Sequence, residues 1–319
     1  METVKYNESF SIGAWKIIFR DAGHILGSAS IELRDAGLQS IIFSGDLGNS
    51  PQDLIAPTKY ITQGTTVVME STYGDSTHPQ EDASAILQEE INAIEKTHGT
   101  LLIPAFSIER TQEILHRIGH LKKDGKINTA TPIFLDSPMA TKVTEIFKNY
   151  PDLYNLELSK DNSPFDFPNL TYTKTIEESK AILNVKNPKV IIAGSGMMSG
   201  GRILHHLKNY ISLPTSRLLI VGYQAVGTLG REIEDGAKQV TIYDEQLSVQ
   251  AKIKKIDSLS SHADQRKLLL WLHKIKGVKQ VFLVHGEERQ RENLARKIQT
   301  DLRIQNIIMP IKDHVYETR

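Results

Sequence analysis

The sequence predicts an α/β fold, and three observations predict it. Between residues 79 and 302, apolar strand-type runs alternate with helix-type runs, the rhythm of a mostly parallel sheet covered on both faces. The first 80 residues read instead as β-rich. Polar residues of catalytic type follow several apolar runs and are bracketed by Gly or Ser, as in loops at the carboxyl ends of strands.

Trp15 to Phe19 is a strand candidate. Ser28 to Arg34 and Leu38 to Phe43 alternate around Asp35-Ala36-Gly37, a hairpin signature. Thr65 to Met69 is a short buried-type run that ends in Glu70. Pro79 to Thr97 carries Ala83, Ile86, Leu87, Ile91 and Ile94 near helical spacing, with Pro79 suited to the first turn and Gly99 to the stop. Thr100 to Pro104 is a strand, and Ser107 is the expected cap of a helix to about Lys122. Pro132 to Asp136 is a strand and Met139 to Tyr150 a helix. Residues 151 to 175 are polar, contain Pro151, Pro164 and Pro168, and read as an exposed excursion. Lys189 to Ala193 is a strand, then a glycine-rich turn from Gly194 to Arg202 opens a helix to about Tyr210. Arg217 to Gly222 is a strand, and residues 236 to 256 read as two more. Helices at 265–275 and about 287–302 flank the strand Gln280 to Val284.

The chain has 319 residues, enough for one large domain or two ordinary ones. Its 38 basic residues balance 38 acidic ones, so net charge offers no global attraction to nucleic acid, and any such binding must be local. There is no cysteine, which excludes disulfides and thiolate metal ligands and fits a reducing cytosol; a cytoplasmic location is expected. Any metal would be held by His, Asp, Glu and water. No apolar run is long enough to suggest a membrane span, and the first residues lack the apolar stretch of a signal peptide.

His262 lies in Ser260-Ser261-His262-Ala263-Asp264, between a strand-type run (Ala251 to Ile256) and a helix-type run, a good place to hold an anion and move a proton. His285, His24 and Asp46 likewise follow apolar runs. Taken singly, none is decisive, since a histidine in a soluble chain is more often a surface or satisfied core residue than a ligand. Glu70 ends a buried-type strand, where a carboxylate needs a partner. A histidine is one candidate, and a turn or cap carboxylate is the alternative. His24, Asp46 and His285 are the right types for zinc, but their separations are too long for a local motif. Gly194 to Arg202 places four glycines between strand and helix. With Ser195 and Arg202 it suits a phosphate; a tight turn needing glycine only for its dihedrals is the alternative. Arg110 and Asp136 serve either a cleft or a buried ion pair. The adjacent His205 and His206 read as structural, and the charges of the last helix as a solvated face.

Taken in order, Ala-Gly-His-Ile-Leu-Gly-Ser-Ala (22–29), Ser-Gly-Asp-Leu-Gly (44–48), Glu-Ser-Thr-Tyr-Gly (70–74), Pro-Ala-Phe-Ser-Ile-Glu-Arg-Thr-Gln-Glu (104–113), Asp-Ser-Pro-Met-Ala (136–140), Gly-Ser-Gly-Met-Met-Ser-Gly-Gly-Arg (194–202), Gly-Tyr-Gln (222–224), Ser-Ser-His-Ala-Asp (260–264) and Leu-Val-His-Gly-Glu (283–287) resemble the β-CASP family of metallo-β-lactamase-fold ribonucleases, across essentially the whole chain. The resemblance implies zinc-dependent hydrolysis of RNA phosphodiester bonds. It implies that His24 and His285 each bind a zinc, that Asp46 bridges two, and that His262, oriented by Glu70, protonates the leaving oxygen. It also implies an RNA phosphate track lined by Ser195, Gly196, Met197, Arg202, Ser261 and Arg110. His285 matches the RNA-processing branch.

The family's H-x-H-x-D-H signature, which supplies most zinc ligands, does not occur in the sequence. The expected architecture is therefore a partial metallo-β-lactamase αββα sandwich, residues 1–72 and 273–319, N-terminally incomplete, with an inserted α/β β-CASP domain at 73–272. Each zinc would then have one histidine plus the shared Asp46, below the three protein ligands usual in catalytic sites. Weak or absent activity of this chain alone is expected. A non-catalytic RNA-binding or assembly subunit, or one half of a split nuclease completed in trans, are the alternatives, and a homodimer is compatible with each. A further departure is Glu109, where relatives usually carry glycine.

Overall fold

A computed structural model of the chain describes residues 2–36, 39–49, 54–155, 158, 161 and 163–318. It divides into two compact units: residues 1–78, 153–156 and 261–319 form the first, residues 79–152 and 157–260 the second.

The first unit begins as a meander. Strands β1 (Ser9–Ile12), β2 (Trp15–Asp21), β3 (Ala29–Arg34) and β4 (Ser40–Phe43) pair antiparallel in turn. The β3–β4 hairpin stands where alternation places it, with Arg34 opposite Ser40; Gly37 of its expected turn, and Leu38, lie outside the described residues. Strand β5 (Thr66–Glu70) then pairs parallel with β4.

The second unit alternates as expected. In chain order it holds α1 (Ala83–Thr97), β6 (Thr100–Pro104), α2 (Arg110–Lys123), β7 (Ile133–Asp136), α3 (Pro138–Lys148), β8 (Leu170–Tyr172), α4 (Ile176–Ala181) and β9 (Lys189–Ala193). It continues with α5 (Arg202–Tyr210), β10 (Arg217–Ile220), α6 (Leu229–Glu234), β11 (Gln239–Ile242), β12 (Glu245–Ser248) and β13 (Lys252–Lys255). Its main sheet runs β13-β10-β6-β9-β7-β8, every neighbouring pair parallel. Strands β6, β7 and β9 are buried at every residue, which is why they read as continuous apolar runs rather than alternating ones.

Four expectations change here. Helix α1 starts at Ala83, not Pro79, because the Asp82 carboxylate accepts from Ala85 N at 3.0 Å and so caps it; His98 (φ 51°) makes the left-handed stop just before Gly99. Ser107 does not cap α2. The chain instead makes a three-residue turn at Glu109 (φ 66°, ψ −61°), with Arg110 N donating to Ile108 O at 2.8 Å. The polar stretch 151–175 is not simply an exposed excursion: Phe165 is fully buried 6.0 Å from the ring of Phe147, and β8 joins the sheet. Residues 236–256 make three strands, because β11 and β12 close an antiparallel hairpin of their own. Strand β1, helices α4 and α6 and a short last strand at Ile307–Ile308 go beyond what the sequence predicts.

The chain then re-enters the first unit with α7 (Gln265–His273), β14 (Gln280–Val284), α8 (Glu288–Lys297) and β15 (Ile307–Ile308). Strand β14 pairs parallel with β5, Leu283 opposite Met69, and completes the mixed sheet β1-β2-β3-β4-β5-β14-β15. Trp271 and Leu272 of α7 and Leu294 of α8 cover Val67, Met69, Val281 and Leu283. Each such side chain contributes about 1.5–3 kcal/mol by leaving water, so this face fixes β14 against β5. One mixed and one parallel sheet with helices packed on them are the α/β architecture the sequence predicts. Among the described residues no helix is long and apolar enough to cross a membrane.

Candidate active site

Strand directions in the first unit decide where its polar loops fall. β2 and β4 run the same way, being separated by the antiparallel β3, and β4, β5 and β14 are parallel. The carboxyl ends of these four strands therefore share one sheet edge. His24 follows β2, Asp46 follows β4, Glu70 is the last residue of β5, and His285 follows β14 directly.

Backbone hydrogen bonds bind the loops into one surface. Gly48 N donates to Ala22 O (2.9 Å), Asn49 N to Ser261 O (2.8 Å) and Ala263 N to Leu47 O (2.8 Å). A Cβ at position 48 would fall 1.7 Å from Gly23 O, so only glycine lets the 22–24 and 46–49 loops approach this closely. The segment around His262 is held from its other side by His78, whose Nε2 lies 3.0 Å from His262 O and whose N–H donates to Asp264 Oδ2 at 3.1 Å. Asp264 also caps α7. No signal in the sequence pointed to His78.

Glu70 is 1% exposed. Oε1 accepts from Leu47 N at 2.6 Å and Oε2 from Thr72 N at 3.3 Å, and both oxygens lie 3.2 Å from His262 Nδ1. Burial pushes this carboxyl up, but the hydrogen bond and charge of His262, with the Thr72 and Leu47 donors, outweigh it and hold Glu70 below the ordinary value. The partner that a buried carboxylate requires is thus a histidine, with the turn bond to Thr72 N beside it.

Asp46 stands between the other two histidines. Oδ2 is 3.9 Å from His24 Nε2, and Oδ1 is 3.2 Å from His285 Nδ1. Thr72 Oγ1 is 3.3 Å from the same His285 nitrogen. The His262 ring lies 4.4 Å from that of His24 and 5.5 Å from that of His285. Burial, then the neighbouring His262, pushes His24 down to about 4 against the pull of Glu70 and Asp46, so its imidazole is neutral at pH 7. Neutral imidazole is the form that binds a metal. Ligand atoms of His24, Asp46 and His262 lie within 4.8 Å of one another, as do those of Glu70, His262 and His285. Two histidine nitrogens and a carboxylate that turns one oxygen to each are zinc's donor chemistry, so the residues present fit that ion in kind.

The sequence-derived phosphate track divides. Ser261 belongs to the first unit, and its carbonyl is taken by Asn49 N. Ser195, Gly196, Met197, Arg202 and Arg110 belong to the second unit. There the glycine-rich loop spends three of its N–H groups on itself: Ser195 N on Gly200 O, Met198 N on Ser195 O and Ser199 N on Ser195 Oγ. Gly196 O accepts from Gln224 Nε2 at 3.1 Å, and Met197 O from Gly230 N at 3.1 Å. Arg202 donates to the fully buried Asp136 (2.7 Å), which also receives His206 Nε2 (2.7 Å), Ser179 Oγ (2.6 Å) and Thr173 Oγ1 (2.5 Å). Arg110 is 4% exposed and pairs with Glu113. Of the two readings open for Asp136 and Arg110, the geometry is that of buried ion pairs.

Residues 111–233 match the family described as the Beta-Casp domain, and residues 246–310 that described as the Zn-dependent metallo-hydrolase RNA specificity domain. The chain is 37% identical over 297 residues to Ribonuclease TTHA0252 of Thermus thermophilus, covering 91% of this chain and 67% of that protein. It is 34% identical to the RNase J-like protein of Methanocaldococcus jannaschii, covering 93% and 71%, and 32% identical to Transcription termination factor FttA of Pyrococcus abyssi, covering 89% and 46%. A solved protein of unknown function from Enterococcus faecalis V583 shares the fold at 10% identity, with a TM-score of 0.50 over 98% of this chain and 66% of that one.

Proposed function

This chain belongs to the β-CASP family of metallo-β-lactamase-fold, zinc-dependent ribonucleases, and from that premise we propose that its first unit carries the phosphodiester-hydrolysing centre for RNA. The observation that carries the reading is the Glu70–His262 pair, both carboxylate oxygens 3.2 Å from Nδ1. The carboxylate fixes the ring's tautomer and turns Nε2 away from itself, so that His262 delivers a proton to a departing oxygen. Asp46, His24 and His285 are the residues that would hold zinc, with Asp46 shared. When bound, zinc supplies charge neutralisation at the phosphoryl oxygens. On this reading the metallo-β-lactamase part is the portion around β1–β5 and β14–β15, and the β-CASP part is the insertion between them.

Among the described residues, three metal-site residues divided between two ions leave each ion two protein ligands, one fewer than catalytic zinc usually has. The 319-residue chain by itself is therefore a poor nuclease. The test is cleavage of an end-labelled RNA by the purified chain in zinc, beside His262→Ala. Slow, chelator-sensitive cleavage that disappears in the variant supports the reading. Turnover above about one per second, the range of ordinary enzymes, would overturn the weak-activity part. Cleavage unchanged in the variant would remove His262 from the chemistry, and RNA binding with no cleavage at all would favour a binding subunit.

A further inference from the structure

The helix α2 carries His116 and His120, one turn apart on one face, with ring centroids 4.4 Å apart at 77°. Asp161, from the polar stretch that follows α3, reaches the same place: ligand atoms of His116, His120 and Asp161 all lie within 4.8 Å of one another. All three belong to the second unit, apart from the centre described above. From this arrangement we propose a second metal site, in which His116, His120 and Asp161 bind one divalent ion of the zinc, cobalt or nickel class.

The donor set selects the ion. Two imidazoles and one carboxylate suit borderline metals, whereas calcium and magnesium want oxygen throughout. Tetrahedral coordination at about 2.1 Å places donor atoms about 3.4 Å apart, so the three groups close by about 1.4 Å at most. Rotation about their side-chain bonds supplies that. The carboxylate is already steadied, since Asp161 Oδ1 accepts from Ser163 N at 3.0 Å and Asp161 N donates to Leu158 O at 2.9 Å. Leu158 and Phe165, both buried, anchor the stretch on either side of it. Lys122, also on α2, donates to Pro168 O at 2.8 Å and ties the same stretch to the helix farther along. Between the histidines stand Arg117, Ile118 and Gly119, with no Glu beside the first histidine to serve as base, unlike the H-E-x-x-H arrangement of metalloproteases. The ion is thus a clip that fastens Asp161 to α2, without a hydrolytic role.

The experiment strips the full-length chain with chelator and titrates it with cobalt(II), reading the visible absorption of tetrahedral cobalt and the bound equivalents. Three variants run beside it: His120→Ala, Asp161→Asn and, for the other centre, His285→Ala. His120 is exposed, so its loss leaves the fold intact, which circular dichroism confirms. The expected result is one equivalent lost in His120→Ala, at least tenfold weaker binding in Asp161→Asn, and a loss in the His120→Ala/His285→Ala double variant equal to the sum of the singles. Unchanged cobalt stoichiometry and spectrum in both His120→Ala and Asp161→Asn would overturn the site, whatever His285→Ala does. Loss confined to His285→Ala would leave only the first centre.

Discussion

Glu109 is the residue whose replacement tests the backbone most sharply. It sits at the centre of a three-residue turn with φ 66° and ψ −61°, conformational space that side chains avoid, and it is fully buried. Holding a non-glycine residue in such a region costs about 1–3 kcal/mol. Glycine removes that strain but restores about 0.5–1 kcal/mol of unfolded-chain entropy, leaving a net gain of about 0.5–2 kcal/mol. The buried carboxylate is a separate contribution, so Glu109→Gln serves as the control: it removes the charge and keeps the strain. Glu109→Gly is expected to unfold about 1–8 °C above Glu109→Gln in differential scanning calorimetry, at about 2–4 °C per kcal/mol for a large domain. Equal midpoints, or a higher one for Gln, would show that the turn stores no strain.

Asp136→Asn removes the fully buried charge and turns one of the two oxygens shared by Arg202, His206, Ser179 and Thr173 into a donor, and should cost about 3–5 kcal/mol in urea denaturation. Burial pushes the Asp136 carboxyl up, yet those donors hold it well below its ordinary 3.8; its stabilisation is therefore complete above that value and is lost as pH falls below it. The wild-type melting temperature should fall more steeply below about pH 4 than that of Asp136→Asn, and parallel curves would refute the assignment. Glu70→Ala strands the Leu47 and Thr72 N–H groups as well as His262 and should cost about 3–5 kcal/mol, whereas Glu70→Gln, which keeps an acceptor, should cost less; equal losses would deny the hydrogen bonds their part. His285 is 55% exposed, so His285→Ala should leave the melting temperature nearly unchanged while lowering zinc measured by elemental analysis. Unchanged zinc would remove it from the donor set.

Strands β6 and β14 fall at the residues their apolar runs mark, because a strand buried on both faces leaves little choice of boundary. Helix starts were less legible. Pro79 and Ser107 carry starting signals, but Asp82 offered a better-placed carboxylate and the turn at Glu109 consumed the residues beyond Ser107. The polar composition of 151–175 concealed Phe165, one aromatic whose burial outweighs its neighbours. For the candidate site, each residue was visible at a strand end, yet its convergence was not. That requires knowing that β14 returns to pair with β5, a contact no local pattern encodes. The resemblance supplied it. His116 and His120 went unread although their four-residue spacing was plain, because the partner Asp161 comes from a stretch without periodicity.

Glu70 and His262 stand 192 residues apart in the chain. A ribosome adding about 5–20 residues per second needs roughly 10–40 s to pass from one to the other. Throughout that interval the Glu70–His262 pair does not exist, and β5 has no β14 beside it. Glu70 therefore leaves the ribosome without its histidine, in a strand without its neighbour, and both wait on residues made long afterwards.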